Sequence, residues 1–170
     1  MKSTLIILGS SRNDGNTREI AELVKRKTNS DFINLSDYLI NYYEYEDTNR
    51  EDDFIEIIDK LLQYDQIVFA TPVYWYSMSA QLKTFFDRLT DLITIRKDLG
   101  RKLNNKNIYL ISCSASEVEP LSFDIPFKET SAYLRMNFIA HLHVWKRNEE
   151  FSSELSPKID KFVKIILEKN

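Results

Sequence analysis

Residues 9–17, GSSRNDGNT, gather groups that can hold an anion. The 170-residue chain has three glycines, and two of them, Gly9 and Gly15, stand in this stretch. Ser10, Ser11, Asn16 and Thr17 add neutral hydrogen-bonding groups beside the charged guanidinium of Arg12. Gly9 reads as a strand end where a bulky residue would clash. Gly15 reads as a point of positive φ or close backbone approach just before a helix. That helix would turn its unpaired N–H groups and positive dipole end toward the loop, which suits a phosphate. Asn16 stands where a Walker A loop needs lysine, and the third glycine of a dinucleotide fingerprint is missing. A receiver domain would carry acids after its first strand and a phosphoacceptor Asp after its third. Gly9-Ser10 and Thr71-Pro72 occupy those places. Two readings remain for the loop alone: a site for a terminal phosphate monoester bound without lysine or metal, or a tight turn whose serines cap the helix.

A second unusual stretch is TPVYWYSMSAQLK, residues 71–83. Tyr74, Trp75 and Tyr76 are consecutive, so they cannot all enter one core. They suit the walls of a site for a flat ring system, where offset stacking contributes about 0.5–1.5 kcal/mol per pair. Pro72 stiffens the approach, and Ser77 or Ser79 would cap the next helix. A helix-entry staple or an oligomer interface rich in Tyr and Trp is the plainer alternative. Taken together, the two loops favour a planar aromatic ligand with one phosphate, of which FMN is an example.

The elements that must position these loops alternate strand and helix. Residues 4–8, 31–35, 66–70, 107–112 and 138–145 read as strands, mostly as continuous apolar runs expected of buried parallel strands. Helices follow from apolar residues at helical spacing: Ile20, Leu23 and Val24; Phe54, Ile55, Ile58 and Leu61; Leu82, Phe85, Phe86, Leu89 and Ile93. Residues 123–136 read as a helix with Pro126 in its first turn, and Ile159, Phe162, Val163 and Ile166 mark the last. Expected caps are Asn16 with Glu19, Thr48 with Glu51, and Ser156 followed by Pro157. Asp52 and Asp53 are read as acids complementing a helix dipole, and residues 97–106 as a solvated connector. Five strands alternating with helices predict one doubly wound domain over residues 1–170, with ligands beyond the carboxyl ends of strands one, three and four.

Composition narrows the class. Hydrophobic residues make up 43% and charged residues 29%, an ordinary globular balance. The net charge of −3 is spread among scattered Lys and Arg, which argues against a nucleic-acid partner or an anionic membrane surface. Cys113 is the single cysteine, so no intramolecular disulfide forms and a cytoplasmic setting is expected. It is read as a small residue filling space rather than a redox sensor. His141 and His143 share a strand face without a matched acid, and are read as exposed edge residues, not metal ligands.

GSSRNDGNT and TPVYWYSMSAQLKTFFDRL resemble the two signature loops of flavodoxin-like NAD(P)H-dependent FMN reductases and their iron–sulfur flavoprotein relatives. The resemblance extends along essentially the whole chain. It implies a flavodoxin-like three-layer sandwich, with a five-stranded parallel sheet in the order 2-1-3-4-5 and helices on both faces. It implies a phosphate site at Ser10, Ser11, Arg12, Asn16 and Thr17, and ribityl and ring contacts from Pro72, Val73, Tyr74, Trp75 and Tyr76. A third loop, implied to border the ring, brings Ser112, Cys113 and Ser114. The implied activity passes hydride from NADH or NADPH to FMN and onward to a small-molecule acceptor, a quinone or flavin among others, in a protein expected to be a homodimer. A non-enzymatic flavodoxin-type electron carrier is the alternative. INYYEYEDTNREDDF, where iron–sulfur relatives place cluster cysteines, contains none, so the resemblance is to the flavin-only branch.

Overall fold

The computed structural model describes residues 4–46, 51–147, 150–151 and 155–169. Five parallel strands form the sheet: β1 (Thr4–Leu8), β2 (Asp31–Asn34), β3 (Gln66–Pro72), β4 (Asn107–Ser114) and β5 (Asn137–Arg147). Their order is β2-β1-β3-β4-β5, as the sequence led us to expect. A two-residue β6 (Glu150–Phe151) adds an antiparallel strand beside the end of β5.

Alternation along the strands makes two cores. Ile6 and Leu8 pack with Ile20, Val24, Tyr109, Phe162 and Ile166, beneath α1 (Asn16–Thr28) and the last helix. Leu5 and Ile7 face the opposite way, toward α2 (Phe54–Leu61) and α3 (Ala80–Arg88), with Phe54, Phe69, Phe85 and Phe127. Successive side chains of a strand point to opposite faces, so an unbroken apolar run such as TLIIL feeds both layers at once.

Several local expectations shift. The N-cap of α1 is Gly15, one residue before Asn16, and it has no side-chain cap bond. Ser79, rather than Ser77, caps α3 by accepting from Leu82 N at 3.2 Å. Thr48 lies outside the described residues, and α2 begins later, after Asp53. The supposed connector at 97–106 contains the short α5 (Lys97–Gly100), which follows α4 (Asp91–Thr94), and then a 3-10 turn, Arg101–Leu103. Leu99 and Leu103, four residues apart, are buried there. After α6 (Ile125–Tyr133), the last helix α7 (Leu155–Glu168) starts before Ser156, so Ser156 is inside the helix and Pro157 sits within its first turn.

Asp52 has a larger role than complementing a dipole. Its carboxylate, with a side chain 0% exposed, pairs with Arg88, whose own side chain is 3% exposed. Arg88 Nε also binds Asp91 Oδ2 at 2.9 Å, and Asp52 Oδ2 accepts from Asn41 N at 2.8 Å. Asp53 Oδ2 accepts from Leu39 N at 2.8 Å. These bonds hold the tyrosine-rich stretch after β2 against α2 and α3, although it has no helical or strand periodicity of its own.

Candidate functional site

The loops after β1, β3 and β4 meet at the carboxyl edge of the sheet, where the chain order reverses beside β1. Gly9 N donates to Ala70 O at 2.9 Å, so the first loop leaves the sheet alongside β3. α3 then crosses directly over it. A Cβ on Gly9 would lie 2.6 Å from Leu82 Cβ and 3.1 Å from Leu82 Cα and N. Ser79 Oγ donates to Gly9 O at 2.7 Å, and Ser79 N donates to Thr71 Oγ1 at 3.0 Å. Gly9 is thus required by a close approach. Gly15 has extended backbone (φ −84°), not positive φ, and a Cβ there would meet Arg12 Cβ at 3.3 Å and Arg12 O at 3.9 Å.

The first loop is ordered from within and from below. Arg12 N donates to the buried Ser10 Oγ at 3.3 Å. Asn13 Oδ1 accepts from Asn34 Nδ2 at 2.8 Å and Ser36 Oγ at 2.7 Å, tying the loop to the end of β2. Ser11, Arg12 and Asn16 are exposed and Thr17 is buried at the first turn of the 13-residue α1. Buried Ser10, the close α3 crossing that admits no side chain at Gly9, and a helix N-terminus are a fit for a phosphate monoester, the end group of FMN.

The aromatic loop is a tight hairpin. Tyr74 N donates to Ser77 O at 2.9 Å and Ser77 N to Tyr74 O at 3.0 Å. Trp75 (φ 47°) and Tyr76 (φ 66°) are both left-handed, as the central residues of a type I′ turn are. Glycine and asparagine usually fill such positions, and a non-glycine residue held there costs of order 1–3 kcal/mol. The strain is coupled to display: Trp75 is 93% exposed and Tyr76 76%. Tyr74 Oη lies 3.0 Å from Ser11 Oγ, a hydrogen bond joining the aromatic loop to the first loop. Val73 N donates to Cys113 O at 2.8 Å, which joins it to β4.

Between the second and third loops lies an open cleft of about 870 Å³, lined by Val73, Trp75, Tyr76, Ser114, Val118 and Glu119 among others. The size is that of ordinary ligand pockets. Of the three third-loop residues expected near a ring, Ser114 reaches this cleft. Ser112 is fully buried, its hydroxyl 2.7 Å from both His141 Nε2 and His143 Nδ1. Cys113 turns its side chain into the α1–α7 core. Burial pushes its thiol up to about 11, outweighing the Thr17 hydroxyl that favours the thiolate. Reaction with iodoacetamide at neutral pH is therefore expected to be slow in the folded protein and complete only after denaturation, because the thiolate is the nucleophile. Rapid native labelling followed by mass spectrometry would contradict this placement.

The two histidines are half-buried, not exposed. His141 stacks on Phe123 at 6.2 Å between ring centroids, and its Nδ1 lies 3.1 Å from Glu119 Oε1. Burial lowers His141 to about 4, lowers His143, and raises Glu119. The histidine spacing was visible in the sequence. Glu119 carried no signal, because a loop excursion brings it to the β5 face.

Residues 2–150 match the family described as NADPH-dependent FMN reductase. The chain belongs to that family. It is also 28% identical over 145 residues, 78% of this chain and 79% of the relative, to the Bacillus subtilis NAD(P)H-dependent FMN-containing oxidoreductase YwqN. This family member is accordingly an NAD(P)H-dependent, FMN-containing oxidoreductase. Among solved structures, the Trp repressor binding protein from Bacillus subtilis superposes with a TM-score of 0.77 at 23% identity, covering 96% of this chain and 97% of that one. An NADPH-quinone reductase from P. pentosaceus superposes with a TM-score of 0.72 at 18% identity, covering 95% and 96%. Both show the flavodoxin-like fold. Among the described residues, no helix is long and apolar enough to cross a membrane.

Proposed function

We propose that this reductase takes hydride from NADH or NADPH and reduces a small planar acceptor, a quinone or a flavin, in the cleft between residues 73–76 and 114–119. The Ser11–Tyr74 hydrogen bond carries the reading, because it makes the anion loop and the strained aromatic turn one continuous surface. Bound FMN supplies the ring that accepts hydride, and the protein supplies position and electrostatics. Ser10, Ser11, Arg12, Asn16 and Thr17 hold the phosphate. Pro72, Val73, Tyr74, Trp75 and Tyr76 flank the ribityl chain and ring. Ser114 borders the ring by its side chain, and Ser112 and Cys113 contribute through backbone only. The quinone class is supported by the aromatic wall and by the name of the P. pentosaceus neighbour. A cytoplasmic homodimer with the exposed Trp75 at its interface belongs to the same reading.

Stopped-flow mixing of FMN-loaded protein with NADH and NADPH tests it. Flavin bleaching with at least one nucleotide is the expected result, and no bleaching with either sinks the proposal. Arg12→Ala is expected to weaken FMN binding about tenfold, since a hydrogen bond to a charged group contributes roughly 1.5–3 kcal/mol. Fluorescence titration measures this directly. An unchanged dissociation constant removes Arg12 from the phosphate site.

A further inference from the structure

The hydrogen bonds around Ser112 have a fixed direction, and that direction leaves a place for one extra proton. Ser114 Oγ donates its hydrogen to Ser116 O at 2.5 Å, because a carbonyl only accepts. His143 Nε2, 3.3 Å from Ser114 Oγ, must therefore be the donor. A neutral His143 with its hydrogen on Nε2 has a bare Nδ1, which accepts from Ser112 Oγ at 2.7 Å. Ser112 has then used its one hydrogen and must accept from His141 Nε2, also at 2.7 Å. His141 Nδ1 is left without a hydrogen, facing Glu119 Oε1 at 3.1 Å. A bare imidazole nitrogen and a carboxylate oxygen at that distance would set lone pair against lone pair. One proton between them removes the conflict.

We propose that Glu119 and His141 together retain one proton at the wall of the acceptor cleft, and that Glu119 donates it to the substrate during reduction. Glu119 lines the cleft directly, with its side chain 32% exposed, whereas the His141 side chain is 11% exposed. Burial raises Glu119 and lowers His141, which disfavours the charged form of each, and the carboxyl is the partner that faces the cleft and can hand a proton on. Asp124 at the N-cap of α6 and Lys128 within it act on both groups in opposite senses, His143 acts on His141, and Lys158 of α7 acts on His143. Glu119, His141 and His143 also offer ligand atoms within 4.8 Å of one another. A divalent ion held by His141 Nε2 and His143 Nδ1 would compete with the Ser112 hydroxyl, which lies 2.7 Å from both. The directional chain favours a proton.

The inference rests on the cleft being the acceptor site. Reduction of a quinone to a hydroquinone takes a hydride and a proton. NAD(P)H loses the hydride, which carries both electrons. The Glu119 O–H bond breaks as an O–H bond forms on the acceptor oxygen, and the carboxylate is reprotonated from water. Glu119 is a general acid here, and Ser112 and His143 are positioning residues that fix the His141 tautomer.

The test uses FMN-loaded protein with ¹⁵N-labelled histidines. Long-range ¹H–¹⁵N spectra are expected to show both rings as Nε2–H tautomers near neutral pH. Glu119→Gln keeps both tautomers, because its amide can donate to Nδ1. Ser112→Ala removes the acceptor for Nε2, so His141 is expected to move its hydrogen to Nδ1 and donate to the Glu119 carboxylate. An Nδ1–H tautomer of His141 in the unsubstituted protein overturns the proposal, and so do ring signals that change when a chelator is added. Kinetics supply the second readout. With a benzoquinone, both variants are expected to be slower by about 100-fold, a typical general-acid contribution. The unsubstituted enzyme loses rate as pH rises through the pair's titration, and Glu119→Gln gives a flat profile. With ferricyanide, which takes electrons without protons, the loss is expected to be far smaller than with the quinone. Equal losses with both acceptors overturn the proposal. Failure of flavin bleaching would instead sink the reductase reading, leaving the tautomer result to stand or fall alone.

Discussion

Arg88→Met is expected to destabilise the protein by about 3–5 kcal/mol, the usual consequence of removing one partner from a buried ion pair. Arg88 lies between two carboxylates, Asp52 and Asp91, and also donates to Asn41 O at 3.1 Å. Burial works against its charge, but the two acids more than offset it and raise its pKa, so the guanidinium stays ionised. A methionine of similar length fills the space and leaves two buried carboxylates facing each other. A loss of this size shifts the melting temperature of a domain this long by roughly 10 °C. The matched control is Lys83→Met, which breaks the surface pair with Asp87 and should leave melting nearly unchanged. Adding Asp52→Asn and Asp91→Asn to Arg88→Met should restore part of the loss, because the penalty comes mainly from unpaired charge. Calorimetry showing equal small effects for Arg88→Met and Lys83→Met would refute this account.

That triad also shows where a sequence stops being readable. Asp52 and Arg88 are 36 residues apart, and their pairing leaves no local mark. Asp52 in isolation looks like any acid ahead of a helix. The strands were readable for the opposite reason. A strand covered on both faces must be apolar throughout, so TLIIL and QIVFA announce themselves without a partner. The buried turn at 97–103 was readable in principle, since Leu99 and Leu103 have helical spacing, but lysines, an arginine and a glycine around them masked it. The early start of α7 was mistaken because proline is tolerated at more than one position of a first turn, so Pro157 marks the end of the helix but not its first residue.

For the site, residue type was legible and orientation was not. The hydroxyls and aromatics of the first two loops stand where the strand order reverses, which alternation alone predicts. Ser112 and Cys113 were implied as ring neighbours by the resemblance, yet the Cys113 side chain turns into the α1–α7 core and the Ser112 hydroxyl toward His141 and His143, and only a structure supplies the strand phase that decides this. Asn13, Ser79 and Glu119 act through contacts distant in sequence. Trp75 and Tyr76 are consecutive aromatics in the sequence, but their left-handed backbone could not be inferred from it, because such residues ordinarily avoid that region.

Gly9→Ala is expected to injure cofactor binding more than any other single methyl group added to the chain. The new Cβ would sit 2.6 Å from Leu82 Cβ and 3.1 Å from the Leu82 backbone, so α3 itself must recede. α3 cannot move alone. Its cap, Ser79, binds Gly9 O and Thr71 Oγ1, and the residues leading into that cap are the strained aromatic turn. One methyl group therefore separates the anion loop from the aromatic wall and breaks the register of the Ser11–Tyr74 bond. Overpacking of this kind costs about 1–3 kcal/mol of stability. Displacing both ends of the ligand site is expected to raise the FMN dissociation constant by about tenfold or more, equivalent to at least ~1.4 kcal/mol. The other two glycines separate these effects. At Gly15 a Cβ would meet Arg12 Cβ at 3.3 Å, a contact that a shift of a few tenths of an ångström relieves, so Gly15→Ala should be milder than Gly9→Ala in both measures. At Gly100 it would meet Leu92 O at 2.1 Å, remote from the loops, so Gly100→Ala should lower stability while the folded fraction binds FMN normally. Urea unfolding and flavin fluorescence titration on the three variants give the comparison. If Gly9→Ala follows Gly100→Ala, losing stability without losing affinity, then the crossing of α3 over the first loop supports the fold but does not shape the cofactor site.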